Sequence, residues 1–469
     1  MELPPNLRDS LAQYGQEHLV AFWDRLDARG RAALTADLES IDFAQVAALY
    51  ARRDAVQDVR SLAARAVSPP SCRYGQGGLG IARAEAVEAG RAVLRAGQVA
   101  AILVAGGQGT RLGFDHPKGM YPIGPVSGRC LFAIHVEKIV ATARRYGASV
   151  PLYLMTSDAT HEETVDYFAA NRRFGLPEGD LCVFKQGRMP AVDLATGKIL
   201  LESPDRVAMS PDGHGGTLAA LARNGCLADA LGRGVRHFFY FQVDNPLVAV
   251  CSPEFLGYHI LHGSELSSQV VRKTHPLDKV GNIVAIDGRL HVIEYSDLPD
   301  DVAQFRAADG SPAIWAGSIA VHAIDAAFLA RMAQSPSALP FHIARKKVTH
   351  VDAAGNVVRP QTPNAIKFER FIFDMMPQAE RSIVVEVDAA EHFAPLKNAP
   401  GEPQDSPEAV RTQMTALHRR WLREAGMRVA DDVPVEIAPS FALDAEDARA
   451  RVPPAAEIRE ATYFEGHVE

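Results

Sequence analysis

Three observations predict an α/β fold built on a central, largely parallel sheet. Residues 99–104 are an unbroken apolar run and residues 237–243 the most apolar strand-length stretch of the chain, the pattern of strands buried on both faces. Between residues 99 and about 396 such runs alternate with helical patterns, as βα units require. Both runs stop abruptly, one at Gly106-Gly107 and the other at Asp244-Asn245, so ligand-binding residues sit where α/β sheets present them. Helical periodicity before this region and one long helical stretch after it flank the α/β domain. The expected division is an N-terminal helical domain at 1–95, the α/β domain at 96–396 and a small C-terminal domain at 397–469.

The glycine loop after the first run carries the chemistry. Gly106, Gly107 and Gly109 have no Cβ to block an approaching phosphate, so loop N–H groups can point at anionic oxygens, and Arg111 and Lys118 add positive charge. The spacing is not that of a dinucleotide fingerprint, because Leu112 stands at the third glycine position and Gly113 comes one residue late. It is not a Walker loop either, since its lysine lies in Pro117-Lys118-Gly119. The pattern G-G-x-G-T-R-L-G-x-x-x-P-K resembles the signature of nucleoside-triphosphate:sugar-1-phosphate nucleotidylyltransferases.

A chain of 469 residues has room for about three domains and a large core without staples. Its five cysteines, Cys72, Cys130, Cys182, Cys226 and Cys251, form no Cys-x-x-Cys pair, which fits a reducing cytoplasm rather than a disulfide framework or a zinc site. No basic leader with an apolar core opens the sequence, and no run nears the ~18 apolar residues of a membrane span, so a cytoplasmic protein with no membrane partner is expected. A net charge of −8 argues against general nucleic-acid binding and confines any basic site to a local one for a small anion.

Taken in order, Leu7, Leu11 and Tyr14, then Leu19, Phe22, Trp23 and Leu26, then Leu34, Leu38 and Ile41 recur at helical spacing. A connector with Pro69-Pro70, Gly75 and Gly77-Gly78 leads to a helical stretch at 82–96. Residues 150–157 read as a second buried strand. Residues 183–191, which include Gln186, follow no periodic pattern; an amide there offers a base edge both a donor and an acceptor. Residues 210–217 (Ser-Pro-Asp-Gly-His-Gly-Gly-Thr) form a second glycine-rich turn whose exposed backbone suits a nucleotide. Asp244, at the carboxyl end of the most apolar strand, is placed to hold Mg²⁺ for triphosphate chemistry. Arg345-Lys346-Lys347 is a basic run of the kind solvated surfaces carry. Acidic, proline-rich sequence after Lys397 gives way to a helix at 408–425 and a strand-like tail at 433–437.

Gly15-Gln16-Glu17-His18-Leu19 with Phe22-Trp23, the Q-x-x-x-P-A segment at Gln186, the turn at 211–216, Glu294-Tyr295, the segment at 364–369 and the one at 395–399 all occur in the order found in UDP-N-acetylhexosamine pyrophosphorylases. The chain resembles that family from Gly15 to about Arg411. The resemblance implies a Rossmann-like, GT-A-like nucleotidyltransferase fold with a central mixed sheet. It also implies a reaction of UTP with a sugar 1-phosphate, N-acetylglucosamine 1-phosphate foremost, giving a UDP-sugar and pyrophosphate. Carried over residue by residue, it places Val104, Ala105, Gly106, Gly107, Gln186, Gly213, Gly215 and Asp244 at the nucleotide. Arg111, Lys118, Lys367 and Lys397 are placed at the phosphates, Asp244 at Mg²⁺, and His214, Gly281, Glu294, Tyr295 and Ser318 at the sugar. Two positions depart from the N-acetylhexosamine pattern, His214 and Ser318, each standing where those enzymes carry asparagine, and G-H-G is the form glucose-1-phosphate uridylyltransferases tend to have. A glucose-accepting or broad-specificity enzyme is therefore the alternative expectation. Two readings from other classes are a silent nucleotide-binding protein and an NAD-dependent oxidoreductase. The misplaced third glycine, and the lack of an acid ending a strand about 20 residues on, count against the oxidoreductase.

Overall fold

The computed structural model describes all residues except 1, 55–58, 74–76, 308–309, 336–338, 454–455 and 467–469; the connector glycine Gly75 lies outside the described residues. The chain forms two compact units, each discontinuous in sequence. The first is built from Met1–Asp58, Gln186–Thr217 and Ser337–Asp374, and the second from Val59–Lys185, Leu218–Pro336 and Met375–Glu469. The segments expected at 1–95 and 96–396 are thus each shared between the two units, whereas 397–469 lies wholly in the second.

In the first unit the helical preamble becomes α1 (Pro5–Gln13), α2 (Ala28–Glu39) and α3 (Phe43–Ala51). Proline opens α1 at a position where its missing N–H costs nothing. Asp27 caps α2 by accepting from Gly30 N–H at 2.7 Å, and Asp42 caps α3 by accepting from Gln45 N–H at 2.9 Å. The apolar stripe of these helices, including Leu11, Leu34, Leu38 and Val46, packs with Val192, Ile199, Ile366 and Phe368. The last two belong to a three-stranded antiparallel sheet of Val192–Asp193, His342–Lys346 and Ala365–Glu369. Gln16 and His18 lock the helices to the turn before Ile199: Gln16 Oε1 accepts from Ile199 N–H at 2.9 Å, and His18 Nε2 lies 2.7 Å from its carbonyl.

The second unit is organised around a ten-stranded sheet. Its strands are β1 (Ser71–Cys72), β2 (Val99–Val104), β3 (Leu152–Thr156), β4 (Leu181–Lys185), β5 (His237–Gln242), β6 (Leu266–Arg272), β7 (Asn282–Ile286), β8 (Arg289–Ile293), β9 (Ala316–Asp325) and β10 (Ser382–Glu386). The order along the sheet is β1-β10-β6-β9-β5-β2-β3-β4, with β7 and β8 a hairpin beside β9. Every pairing on this path is parallel except the two made by β9, so the sheet is mixed, as the family resemblance implies. Phe238, Phe239, Tyr240 and Phe241 of β5 are fully buried, which explains the continuous apolar run. From β2 the chain moves outward to β3 and β4 and later returns to the other side of β2 as β5. The order therefore reverses beside β2, and the crevice at the carboxyl ends of β2 and β5 is where such sheets bind ligands.

Helix α4 (Arg83–Arg95) and helix α5 (Leu131–Tyr146) pack within this unit, the second ending at Gly147 in the left-handed conformation. Two further helices are α6 (Cys226–Gly232) and α7 (Pro253–Leu261). The expected C-terminal helix is α8 (Pro407–Glu424), capped by Ser406 and opened by proline, and it covers a separate small core with Val435, Ile437 and Ala448. Among the described residues no helix is long and apolar enough to cross a membrane.

Helices α4 and α7 meet through glycine. A Cβ on Gly90 would fall 1.9 Å from the Pro253 carbonyl oxygen, and one on Gly257 would fall 1.6 Å from that of Ala86. Backbone is there instead of a movable side chain, so Gly257→Ala is expected to destabilise the protein by about 1–3 kcal/mol through overpacking. The measurement is the urea midpoint of the variant against the parent; an unchanged midpoint would show that the two helices slide apart freely.

Candidate active site

In the second unit β2 ends at Val104, and Ala105 N–H still donates to Met155 O at 2.8 Å. The chain then leaves the sheet through Gly106 and Gly107. Ser157 Oγ donates to Gly106 O at 2.8 Å, and Lys118 N–H donates to Gly107 O at 3.0 Å, so both carbonyls are engaged by protein. A Cβ on Gly107 would meet nothing within 4 Å, which leaves that side of the loop open. Gly109 serves packing: a Cβ there would lie 2.7 Å from Phe114 O. Short 3₁₀ turns at Thr110–Leu112 and Lys118–Met120 set Arg111 and Lys118.

Lys397 comes to this place from far along the chain. Leu396 N–H donates to Asp244 O at 2.8 Å, and Lys118 Nζ donates to Leu396 O at 3.3 Å. Asn245, only 3 % exposed, binds the same segment: its Nδ2 donates to His392 O at 2.7 Å, while its Oδ1 accepts from Ala394 N–H at 3.0 Å and Leu247 N–H at 3.2 Å. Asp244, Lys397 and Arg111 thereby come within electrostatic range of Lys118. Burial pushes the Lys118 ammonium below the usual lysine range; Asp244 opposes that shift, and Lys397 and Arg111 add to it. A second carboxylate, Asp405, joins them through its carbonyl, which accepts from Lys397 N–H at 2.8 Å. Burial raises its carboxyl pKa, Lys397 opposes the rise, and the Asp244 charge adds to it.

Gly281, Glu294 and Ser318 also converge in the second unit. A Cβ on Gly281 would lie 3.5 Å from Glu294 Oε1 and 3.8 Å from Ser318 Cβ, and Ser318 N–H donates to Gly281 O at 2.8 Å. Beneath them the buried Lys273 donates to Asn282 Oδ1 at 2.7 Å and to Pro276 O at 2.6 Å. Ala320, two residues beyond Ser318, takes φ +56° where the register of β6 and β9 shifts, and Ser318 Oγ accepts from its N–H at 3.3 Å. A non-glycine residue at positive φ is strain of the kind found at functional sites. Tyr295 is 48 % exposed.

The remaining nominated residues belong to the first unit. The second glycine turn is built around the buried Asp212: a Cβ on Gly187 would lie 2.3 Å, and one on Gly216 2.0 Å, from its carboxylate oxygens. Gly213 and Gly215 press on the backbone of Arg370 and Phe371, with Gly215 N–H donating to Arg370 O at 2.8 Å. Gln186 adjoins Gly187 at one side of this turn. Ile366 and Phe368 point into the core, so Lys367 between them points to the opposite face of its strand. Arg370 stacks over Phe341 with 3.9 Å from its guanidinium carbon to the ring centre.

His214 is half-buried, its ring stacked on Phe371 at 5.3 Å and close to Phe373 at 5.6 Å, and its Nδ1 accepts from Ile372 N–H at 3.2 Å. Burial, with a smaller contribution from His342, pushes its pKa down to about 4.

Sequence reasoning passed over Asn245, Ser157, Asp405, Asp212 and Arg370. Ser157 directly follows a strand end, Asn245 comes three residues after one, and Asp212 stands inside the glycine turn. Nothing local marks Asp405 or Arg370.

Glycine loop, converging cations and a carboxylate at the switch point of a mixed α/β sheet define a nucleotide-handling enzyme. The family profile described as UTP–glucose-1-phosphate uridylyltransferase (UDPGP) matches residues 56–452. The UDP-N-acetylhexosamine pyrophosphorylase-like protein 1 of Homo sapiens is 38% identical over 442 residues, covering 91% of this chain and 87% of that one. The UDP-N-acetylglucosamine pyrophosphorylase of Saccharomyces cerevisiae is 38% identical over 358 residues, covering 75% of each. A crystal structure of the Trypanosoma brucei uridine diphosphate N-acetylglucosamine pyrophosphorylase superposes with a TM-score of 0.81 at 25% identity, covering 98% of both chains. The chain belongs to the UDPGP family of uridylyltransferases.

His214 gives a titration to check. Its folded pKa of about 4 lies below the 6.5 of a free imidazole, so the unfolded chain binds the proton first. Its contribution to stability is full above pH 6.5 and is lost as pH falls toward 4. The His214 imidazole resonance, assigned by its loss in His214→Gln, is expected to stay flat from pH 8 to about 5.5. A midpoint near 6.5 would mean that the ring is not enclosed as described.

Proposed function

We propose that the chain transfers a uridylyl group from UTP to N-acetylglucosamine 1-phosphate, giving UDP-N-acetylglucosamine and pyrophosphate. The observation that carries this reading is the gathering of Arg111, Lys397 and Asp244 about Lys118 beside an open glycine loop. Three cations against two carboxylates, Asp244 and Asp405, leave a surplus of positive charge, which a triphosphate would neutralise.

The sugar phosphate is already an anion, so its oxygen attacks the α-phosphorus in line without a general base while pyrophosphate departs opposite. Catalysis then rests on positioning and charge. Lys118, held between the loop and the Leu396 carbonyl, neutralises charge as it builds on the phosphates, and Lys397 and Arg111 flank it. Lys367, Gln186, Gly213 and Gly215 are assigned from the first unit to the nucleotide, Gln186 pairing with the base edge. Gly281, Glu294, Tyr295 and Ser318 are assigned to the sugar, with Glu294 accepting from hydroxyls.

Among the described residues no three His, Cys, Asp or Glu side chains form a ready-made metal cluster. Asp244 with Asp405 nearby does fit Mg²⁺, which keeps several waters and needs only one or two carboxylates beside substrate phosphates. When bound it would supply further charge neutralisation on the triphosphate. The free thiols suit a reducing cytoplasm as the place of action.

Incubation with UTP, Mg²⁺ and a panel of sugar 1-phosphates, followed by release of pyrophosphate, tests the reading directly; no release with any sugar would refute it. Lys118→Met is expected to cut kcat by about a hundredfold or more, with the fold kept by circular dichroism. Asp244→Ala is expected to shift the Mg²⁺ requirement upward in the same assay. The sugar is tested at Ser318, whose side chain adjoins Gly281 and Glu294. Ser318→Asn is expected to raise kcat/KM for the acetylated sugar over glucose 1-phosphate by a few-fold, about 1 kcal/mol. A ratio that does not move would remove Ser318 from sugar selection.

A further inference from the structure

Two cysteines on different elements are held face to face at the edge of the second unit. The parallel register of β3 and β4 sets Tyr153 opposite Cys182, so the two side chains project from the same face of the sheet. Tyr153 Oη donates to Asp229 Oδ2 at 2.7 Å. Asp229 lies on α6, one turn beyond Cys226 and on the same side of the helix. The residue that sits beside Tyr153 is therefore set against the residue that sits beside Asp229. Arg233 fixes the arrangement further, since its Nε donates to Asp229 Oδ2 at 2.9 Å and its Nη1 to Asp180 Oδ1 at 3.1 Å. That bridge ties the end of α6 to the residue two before Cys182.

Within this clamp the Cys182 and Cys226 sulfurs lie within hydrogen-bonding reach of each other, and the Cys226 thiol also donates to Asn224 O at 3.9 Å. Both line a pocket of about 320 Å³ that also touches Tyr153, Asp229 and Arg233. Cys182 is partly exposed and Cys226 is buried at 1 %. The proximal Cys226 hydrogen bond lowers the Cys182 pKa, and the Arg233 charge works in the same direction against burial and Asp229; the Cys226 thiol is pushed up. The pair is thus asymmetric: an accessible sulfur disposed toward thiolate, and a covered thiol at its side.

We propose that Cys182 and Cys226 are a reversible dithiol–disulfide site, oxidised by a low-molecular-weight disulfide such as oxidised glutathione. The Cys182 thiolate attacks one glutathione sulfur, the glutathione S–S bond breaks, and one glutathione thiolate leaves. Cys226 gives up its proton to a departing glutathione thiolate or to water, and its sulfur attacks Cys182 in the mixed disulfide. The second glutathione leaves, so the protein loses two protons and two electrons while one disulfide is reduced to two thiols. The ring closed by the new bond encloses the whole stretch Gln186–Thr217, the middle of the three segments that build the first unit. The other cysteines are buried: Cys72 at 0 %, Cys130 at 7 % and Cys251 at 1 %.

The test uses the full chain, reduced, freed of reductant and treated with oxidised glutathione at pH 8. Free thiols are then alkylated and the unreduced protein is mapped by peptide mass spectrometry. The expected result is a Cys182–Cys226 linked peptide, an intact mass lower by two hydrogens, and alkylation of both residues restored by reductant. In Cys226→Ser the reaction is expected to stop at a glutathione adduct on Cys182; in Cys182→Ser, Cys226 is expected to remain unmodified. A wild-type Cys182 no more reactive than Cys251, or one that pairs only between molecules, would overturn the proposal.

Discussion

The charged cluster of the second unit depends on what Asn245 holds. A single amide, almost wholly buried, binds the His392 carbonyl and the Ala394 and Leu247 amides together, and the backbone of Asp244 takes the next amide, Leu396. Strand β5 thereby ends in a socket for a segment that arrives after the whole sheet has been built. Without that socket Lys397 has no fixed place, Lys118 loses the carbonyl it rests on, and Asp405 loses its connection to the cluster. An amide is suited to the task because it donates and accepts at once, which a carboxylate cannot do. Its burial raises the stakes, since an unmatched polar atom there would cost about 1–3 kcal/mol.

The same socket explains how like charges come to be gathered. Lys397 and Arg111 both repel Lys118, and two carboxylates, Asp244 and Asp405, do not balance three cations. Scattered over a surface they would relax away into water. Here backbone hydrogen bonds fix the segments that bear them, and the repulsion is stored until an anion enters. The glycine loop works in the same sense, because its carbonyls are occupied by Ser157 and Lys118 and its open side at Gly107 is free of side chain. Strained Ala320 adds a third instance beside Ser318.

Much of this could be read from the residues in advance. Buried parallel strands announce themselves as continuous apolar runs, and both β2 and β5 were legible with the residues that end them. The glycine loop was legible because close backbone approach requires glycine at fixed spacing. The antiparallel insertion of β9 was not legible, since buried strands look alike in either direction. Nor was the joint ownership of the first unit by three distant segments, because nothing in local periodicity reports which apolar faces will meet. Asp405 and Arg370 stayed hidden for a similar reason: their significance comes from neighbours remote in sequence. His214 was nominated for the sugar by resemblance, and the fold shows in addition what holds its ring, two phenylalanines and one backbone amide.

The divided first unit also has a meaning during synthesis. Helices α1 to α3 emerge early, but Ile366 and Phe368, against which they pack, are translated roughly 300 residues later. At about 5–20 residues per second the nascent chain carries that apolar stripe without these two partners for about 15–60 s, although Val192 and Ile199 arrive sooner. During that interval the second unit's β2, β3, β4 and β5 are all translated. The first unit therefore cannot be completed until Ser337–Asp374 has been made, nor the second until Met375–Glu469 has followed it.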